Sequence, residues 1–268
     1  MPRGCVTNGT RNPVRDMVIP TDSFLLIVLA SLFLGYVIAI LLAPFRVHAQ
    51  QWQSADPHYE PREDEAIPHD VRWIIEDLES LGFQVRGHWG TKNSIAKAQL
   101  TLMEHPNTLD LGNVIDTRAR LRRHITLFFQ TRFADGTLLV TSNNRITVGL
   151  PLSPEATPVW LPEVRDPRHL YAVHQQVRES MMLGKKPLGV GPDPIAFLIA
   201  RSKENLQQFA NGGYFYLDEA GGVYRPTWKG AFLMTWRLLP PIRPFYVAWR
   251  RRRTRKLLRH LGIGLARD

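Results

Sequence analysis

Only one cysteine, Cys5, occurs in the 268 residues, and it precedes the one long apolar run. The chain beyond that run therefore has no thiol, which excludes disulfides, thiolate metal sites and cysteine nucleophiles there. A phosphate cradle is also missing. Gly189-Val190-Gly191 lacks a third glycine and runs into Pro192, and Gly184-Lys185 lacks both the upstream glycine and the Ser or Thr that would follow. Ser142 and Ser180 stand outside any G-x-S-x-G context. The nine histidines are scattered, with no H-E-x-x-H or similar ligand spacing. His169 and His174 come nearest, but five residues subtend about 140° on a helix, so the two rings cannot share one ion. Acidic residues are the minority, 24 against 34 Lys and Arg. The net charge of +10 and a pI near 10.1 favour anionic surroundings such as lipid head groups, nucleic acid or acidic polymers.

What the chain does have is the stretch from Phe24 to Ala43, about twenty apolar residues without a charge. That length matches a hydrocarbon core about 30 Å thick, so a transmembrane helix is predicted over 23–45, after a disordered tail over 1–22. Gly35 does not form a sustained small-residue face with Ala30 and Ser31, so the helix reads as lipid-exposed rather than as a dimer seam. Val47-His48-Ala49 resembles the end of a signal peptide, but the apolar run is longer than the usual core of such a peptide and reads as an anchor. Two orientations compete. Arg3, Arg11 and Arg15 would hold the N-terminus in the cytoplasm and place the folded part outside. A start at Met17 removes all three and leaves Arg46 as the dominant flank. The second reading, with the folded domain on the cytoplasmic side of the cell membrane, is preferred because of the basic tail.

Residues 46–68 are rich in Pro, Asp, Glu and Gln and are expected to be a polar spacer. An α+β domain is predicted over 69–184. Asp70 caps a helix with Val71, Ile74, Ile75, Leu78 and Leu81 on one stripe, and Gly82 ends it. Alternating runs from Phe83 to Trp89 and from Ile95 to Met103 give two strands. Ile125 to Val140 reads as an antiparallel hairpin turning at Ala134-Asp135-Gly136. Asp166-Pro167 opens a helix whose stripe is Leu170, Val173, His174, Val177 and Met181, and His174 reads as a hydrogen-bonded core residue. The order implies an antiparallel sheet covered on one face by helices. The stretch Gly184 to Pro194 is the expected boundary. Beyond it a helical C-terminal region, 185–268, carries a helix from about Ile195 to Phe209, a hairpin turning at Gly221-Gly222, an apolar helix from Trp228 to Leu239 and a basic terminal helix.

Two weaker sites are weighed against plainer readings. Glu104-His105 and His124 would make a proton-transfer pair only if their strands brought them together. Thr141-Ser142-Asn143-Asn144-Arg145 would suit a ligand, but polar residues leaving a strand more often form a turn. No metal or cofactor site is read. The densest feature is the tail, where Arg250, Arg251, Arg252, Arg253, Arg255, Lys256 and Arg259 follow Phe245, Tyr246 and Trp249. Contact with anionic lipid head groups is the preferred reading, a solvated tail the plainer one, and nucleic acid gripped beside a wing-like hairpin the least favoured. The resulting expectation is a single-pass membrane protein, a non-enzymatic binding or scaffolding module near the bilayer whose protein partner has no sequence signature. A membrane-tethered enzyme without a recognisable motif and a membrane-tethered DNA-binding regulator are the rivals.

Overall fold

The computed structural model describes residues 21–50, 53–63, 67–92, 96–119, 122–145, 155–181, 184–237, 239 and 242–264; the tail expected to be disordered lies mostly outside them. The chain divides into two units, Met1–Leu42 and Ala43–Asp268. In the first, the apolar run forms most of helix α1 (Thr21–His48, 28 residues), which at about 1.5 Å per residue is about 42 Å long. Over Phe24–His48 it is long and apolar enough to cross a membrane, and most of its large apolar side chains are exposed.

The second unit opens with the last residues of α1, 43–48, and continues with two short strands, β1 (Gln53–Ser54) and β2 (Glu60–Pro61), followed by α2 (His69–Ser80). The strands β3 (Gln84–Lys92), β4 (Ala96–Glu104), β5 (Leu111–Ala119), β6 (Arg122–Phe133), β7 (Leu138–Ser142) and β8 (Ala156–Trp160) come next. They lead to α3 (Pro167–Met181), β9 (Pro187–Leu188), α4 (Pro194–Asn211), β10 (Phe215–Asp218), β11 (Val223–Pro226), α5 (Trp228–Trp236) and α6 (Ile242–His260). The main sheet runs β2-β3-β4-β5-β6-β7-β8, with β9 on β6, and a small sheet runs β1-β11-β10. All pairings are antiparallel except β7 with β8.

The strongest sequence signals appear as read. Val71, Ile75 and Leu78 of α2 are buried, and Gly82 just past its end takes a φ of +94°. The β6–β7 hairpin turns at Ala134-Asp135-Gly136, where Gly136 supplies a φ of +84° that a Cβ would oppose. Asp70, however, does not cap α2. Pro68 holds the N-cap position in an extended conformation, its carbonyl accepts from the N–H groups of Val71 and Arg72, and Asp70 falls inside the first turn. There its carboxylate pairs with both Arg123 nitrogens at 2.7 and 2.8 Å, which still places negative charge at a helix N-terminus.

Three expectations change. The polar segment 46–68 carries β1 and β2, which pair with β11 and β3. An open strand edge accepts extended backbone through its N–H and C=O groups with little regard to side chains, so polar composition did not keep this segment off the sheets. The segment Gly184 to Pro194 is packed rather than linking two bodies. Strand β9 pairs with β6, Val190 is buried, and its N–H donates to Glu104 at 2.8 Å. Helices also cover both faces of the main sheet, because strand alternation sends Met103 one way and Leu100 and Leu102 the other. Met103 joins a cluster with α2, α3 and Leu258 of α6, whereas Leu100 and Leu102 join Val190 and Leu198 of α4. A third cluster holds Leu206, Phe215, Tyr224 and Met234, with Val47 packed on it. The core of this unit therefore includes residues before Gln50, and a stable fragment should begin at Ala43.

Candidate membrane-contacting surface

Helix α5 is fixed by its first turn. The Thr227 hydroxyl caps the Gly230 N–H at 3.1 Å, and Gly230 lies so close to the Tyr214 carbonyl that any Cβ would collide with it. The inward face, Gly230, Ala231, Met234 and Thr235, is buried. This leaves Trp228, Phe232 and Trp236 on successive turns of the outer face, each 45% exposed. Trp228 is also touched by two residues of the same unit. Phe45 meets it edge-on at 5.0 Å, and His48 stacks on it at 4.1 Å while its Nδ1–H donates to the Pro226 carbonyl at 2.8 Å.

Helix α6 docks through residues three and four apart. Thr254 and Leu258 are buried, Leu257, Leu261 and Ile263 join the main core, and the Trp160 N–H donates to the Thr254 hydroxyl at 3.1 Å. The basic tail is thereby divided. Arg250 lies 4.7 Å from the Trp160 ring, and burial pushes its guanidinium below its usual range. Arg251 is 3.9 Å from Glu163. Arg252, Arg253, Arg255, Lys256 and Arg259 point to solvent, and none has a carboxylate within ion-pair distance among the described residues. Phe245 and Trp249 on the same outer side are 74% and 53% exposed, with Arg253 5.9 Å from the Trp249 ring. Arg237, after α5, sits 5.2 Å from the Tyr246 ring of α6. Two successive helices thus each present exposed large aromatics, and α6 adds exposed cations. The tail cations were legible in the sequence, but the α5 stripe was not, because that helix is apolar on every side until its inward face is known.

The other candidate sites are largely satisfied internally, the exception being His124, whose Nε2 is buried without a hydrogen-bond partner among the described residues. His174 and Asp110 are both completely buried. Asp110 accepts from Thr131 and Arg178 at 2.5 Å each, from Thr108 at 2.8 Å and from Tyr171 at 3.0 Å. Burial pushes this carboxyl up, but the hydrogen bond from Thr131 and the Arg178 guanidinium outweigh it and hold Asp110 well below the usual carboxylate range. Burial keeps His174 below its usual value and hence neutral, and it raises Tyr171 to about 12. Since the Thr131 proton goes to Asp110, His174 donates through Nε2 to Thr131 at 2.8 Å and accepts through Nδ1 from Thr141 at 3.0 Å. This chain resembles a catalytic relay in composition, yet no member reaches solvent at the histidine, and its effect is to tie α3 to the sheet.

Glu104 and His124 are not brought together. Glu104 pairs across to Leu111 and thence to Gln130, while His124 lies six residues away along β6, roughly 20 Å. The Thr141 to Arg145 stretch is spent on structure. Thr141 serves His174, Asn143 accepts from the Leu127 N–H at 2.9 Å, and Arg145 donates to the Pro162 carbonyl at 3.3 Å. The β10–β11 hairpin is bound into a sheet with β1 rather than standing free as a wing. An open cleft of about 650 Å³ beside β1 and β2 is polar, and its carboxylates are taken: Asp56 by Lys203, Glu60 by Arg62, and Asp116 by Arg118 and Arg123. Among the described residues no group of three His, Cys, Asp or Glu side chains is placed to hold a metal.

Compared with family models, curated proteins and solved structures, the chain matches none. The class that fold and surface define is thus the limit of identification: an α+β domain of mixed sheet and helices with one apolar N-terminal helix able to span a bilayer.

Proposed function

We propose that this chain is a single-pass membrane protein, anchored through residues 23–45, whose α+β domain binds or scaffolds a protein partner beside an anionic lipid surface without catalysing a reaction. The observation that carries this reading is the outer face of α6, where Arg252, Arg253, Arg255, Lys256 and Arg259 have no carboxylate partner within ion-pair distance among the described residues while Thr254 and Leu258 hold the helix in place. A rigid, uncompensated cationic face next to exposed aromatics suits lipid head groups, where each basic residue contributes about 1 kcal/mol close to the surface. The cytoplasmic leaflet is the anionic one in most cell membranes, which favours the cytoplasmic side for the domain.

A fragment of residues 43–268 tests the lipid contact. It should float with vesicles containing anionic lipid, and changing Arg252, Arg253, Arg255 and Arg259 to Gln should lower partitioning roughly a thousandfold at about 1 kcal/mol per charge. Binding should also fall steeply with salt, as the Debye length shrinks from about 10 Å at 0.1 M to about 3 Å at 1 M. Equal retention of the wild-type and four-glutamine fragments would sink the lipid contact. For sidedness, Glu63→Cys in a Cys5→Ser chain should resist a membrane-impermeant maleimide in intact cells and react after lysis; labelling before lysis would move the domain outside.

A further inference from the structure

The aromatic face of α5 is partly covered within its unit, Trp228 by Phe45 and His48, yet each of its three rings stays 45% exposed. Gly230, Ala231, Met234 and Thr235 already fill the inward side, so the exposed parts of Trp228, Phe232 and Trp236 are not needed for that packing. Single exposed aromatics are ordinary on a protein surface. Three on consecutive turns of one helix face form an apolar row that water solvates poorly, and Ile242, Phe245 and Trp249 of the next helix are exposed as well. Tryptophan and phenylalanine of this kind suit the boundary between head groups and hydrocarbon, where the ring is buried and the indole N–H stays wet.

Chain reach places this patch. Phe45 and His48 follow the apolar run by two and five residues, and helical residues rise about 1.5 Å each, so both lie within roughly 10 Å of the end of any spanning segment. Trp228 is stacked on His48 and meets Phe45 edge-on. If residues 24–43 span, Trp228 is consequently held at the bilayer interface by covalent connection and ring contact, and Phe232 and Trp236 continue the same stripe one and two turns further on.

We propose that α5 is a second bilayer contact independent of charge, with Trp228, Phe232 and Trp236 inserted at the head group–hydrocarbon boundary. This rests on the membrane-spanning reading of α1 but not on the cations of α6. The occupant is the lipid of the bilayer that holds α1, whether or not that lipid is anionic.

The test uses the full chain with Cys5→Ser, reconstituted in nanodiscs of neutral phosphatidylcholine, with a nitroxide at Phe232→Cys. Collisions with oxygen, which concentrates in lipid, should exceed collisions with a water-soluble nickel chelate several-fold. This ratio should be unchanged in 1 M salt and unchanged by the four arginine-to-glutamine substitutions. A label at Trp73→Cys, on the exposed side of α2, should show the opposite ratio, and Trp236→Cys repeats the measurement should Phe232→Cys fold poorly. A Leu34→Cys label separates the two hypotheses. Water exposure at Leu34 overturns both, whereas lipid exposure at Leu34 with water exposure at residue 232 overturns the α5 contact alone. Insertion seen only with anionic lipid would contradict charge independence, and spin–spin broadening between copies at residue 232 would replace lipid by a second copy of the chain.

Discussion

Helices α3 and α6 pack into the same hydrophobic cluster and treat their charges in opposite ways. On α3 three polar side chains reach inward, and each has a partner within the chain: Arg178 and Tyr171 meet Asp110, and His174 lies between Thr131 and Thr141. On α6 the inward positions are Thr254 and Leu258, and Arg252, Arg253, Arg255, Lys256 and Arg259 are left outside with no carboxylate among the described residues within ion-pair distance. The difference separates two kinds of evidence. Charges that the fold itself satisfies need no further explanation, because an unpaired buried carboxylate would cost several kcal/mol. Charges that the fold leaves unsatisfied on a well-packed helix are the ones that point to something outside the chain.

The largest effect should come from the core that both helices share. Leu78→Asp places a carboxylate where Leu78 is completely buried and should cost roughly 5 kcal/mol or more, enough to unfold a domain of typical stability. Native-like melting of that variant would show that α2 does not help to build the core. Next is Asp110→Asn, which leaves Arg178 facing a neutral group and breaks the α3 side of the comparison. A loss of about 3 to 5 kcal/mol is expected by chemical denaturation of the 43–268 fragment. A change near zero would mean that the buried pair is dispensable.

The same network predicts a smaller pH effect. Both Asp110 and His174 have folded values below their unfolded ones. For His174 the unfolded state binds a proton more readily, so stability is full above about 6.5 and falls as pH drops below that value. Asp110 contributes above the usual carboxylate value and is lost only as pH falls further, through its depressed folded value. Thermal melts should therefore show lower midpoints at pH 5 than at pH 7.5, and His174→Gln should flatten that difference while lowering stability overall. A midpoint that rises on acidification would contradict the neutral histidine. The smallest effect belongs to α6, where Arg252→Gln should leave the midpoint of unfolding within about 0.5 kcal/mol of wild type. A larger loss would mean that the cation serves the fold rather than an external surface.

How much of this was legible depends on whether a feature is local. The stripe of α2, the Gly136 turn and the placement of His174 on the apolar side of α3 follow from period and turn chemistry within a few residues. Strand β5 was missed because Gly112, Asn113 and Asp116 interrupt its alternation; it is central because Asp116 is neutralised by Arg118 and Arg123 from its own strand and its neighbour. Strands β1 and β2 are two residues each and are dictated by open edges elsewhere in the chain. The joining of Asp110 to His174 spans 64 positions and is carried by no spacing. The cationic tail was visible as a run of letters, but only the docked face of α6 divides Arg250 from the solvent-facing residues, and only the filled inward side of α5 sets its exposed stripe apart.

The central claim, that the α5–α6 surface lies on lipid, is tested most directly by hydroxyl-radical footprinting of the full chain in anionic nanodiscs. Phe245 and Trp249 are at least as exposed in the protein as Trp73, whose exposure is 51%. The account predicts that their oxidation falls several-fold below that of Trp73, and that 1 M salt partly restores it. Oxidation of Phe245 and Trp249 equal to or above that of Trp73 in low salt would contradict it.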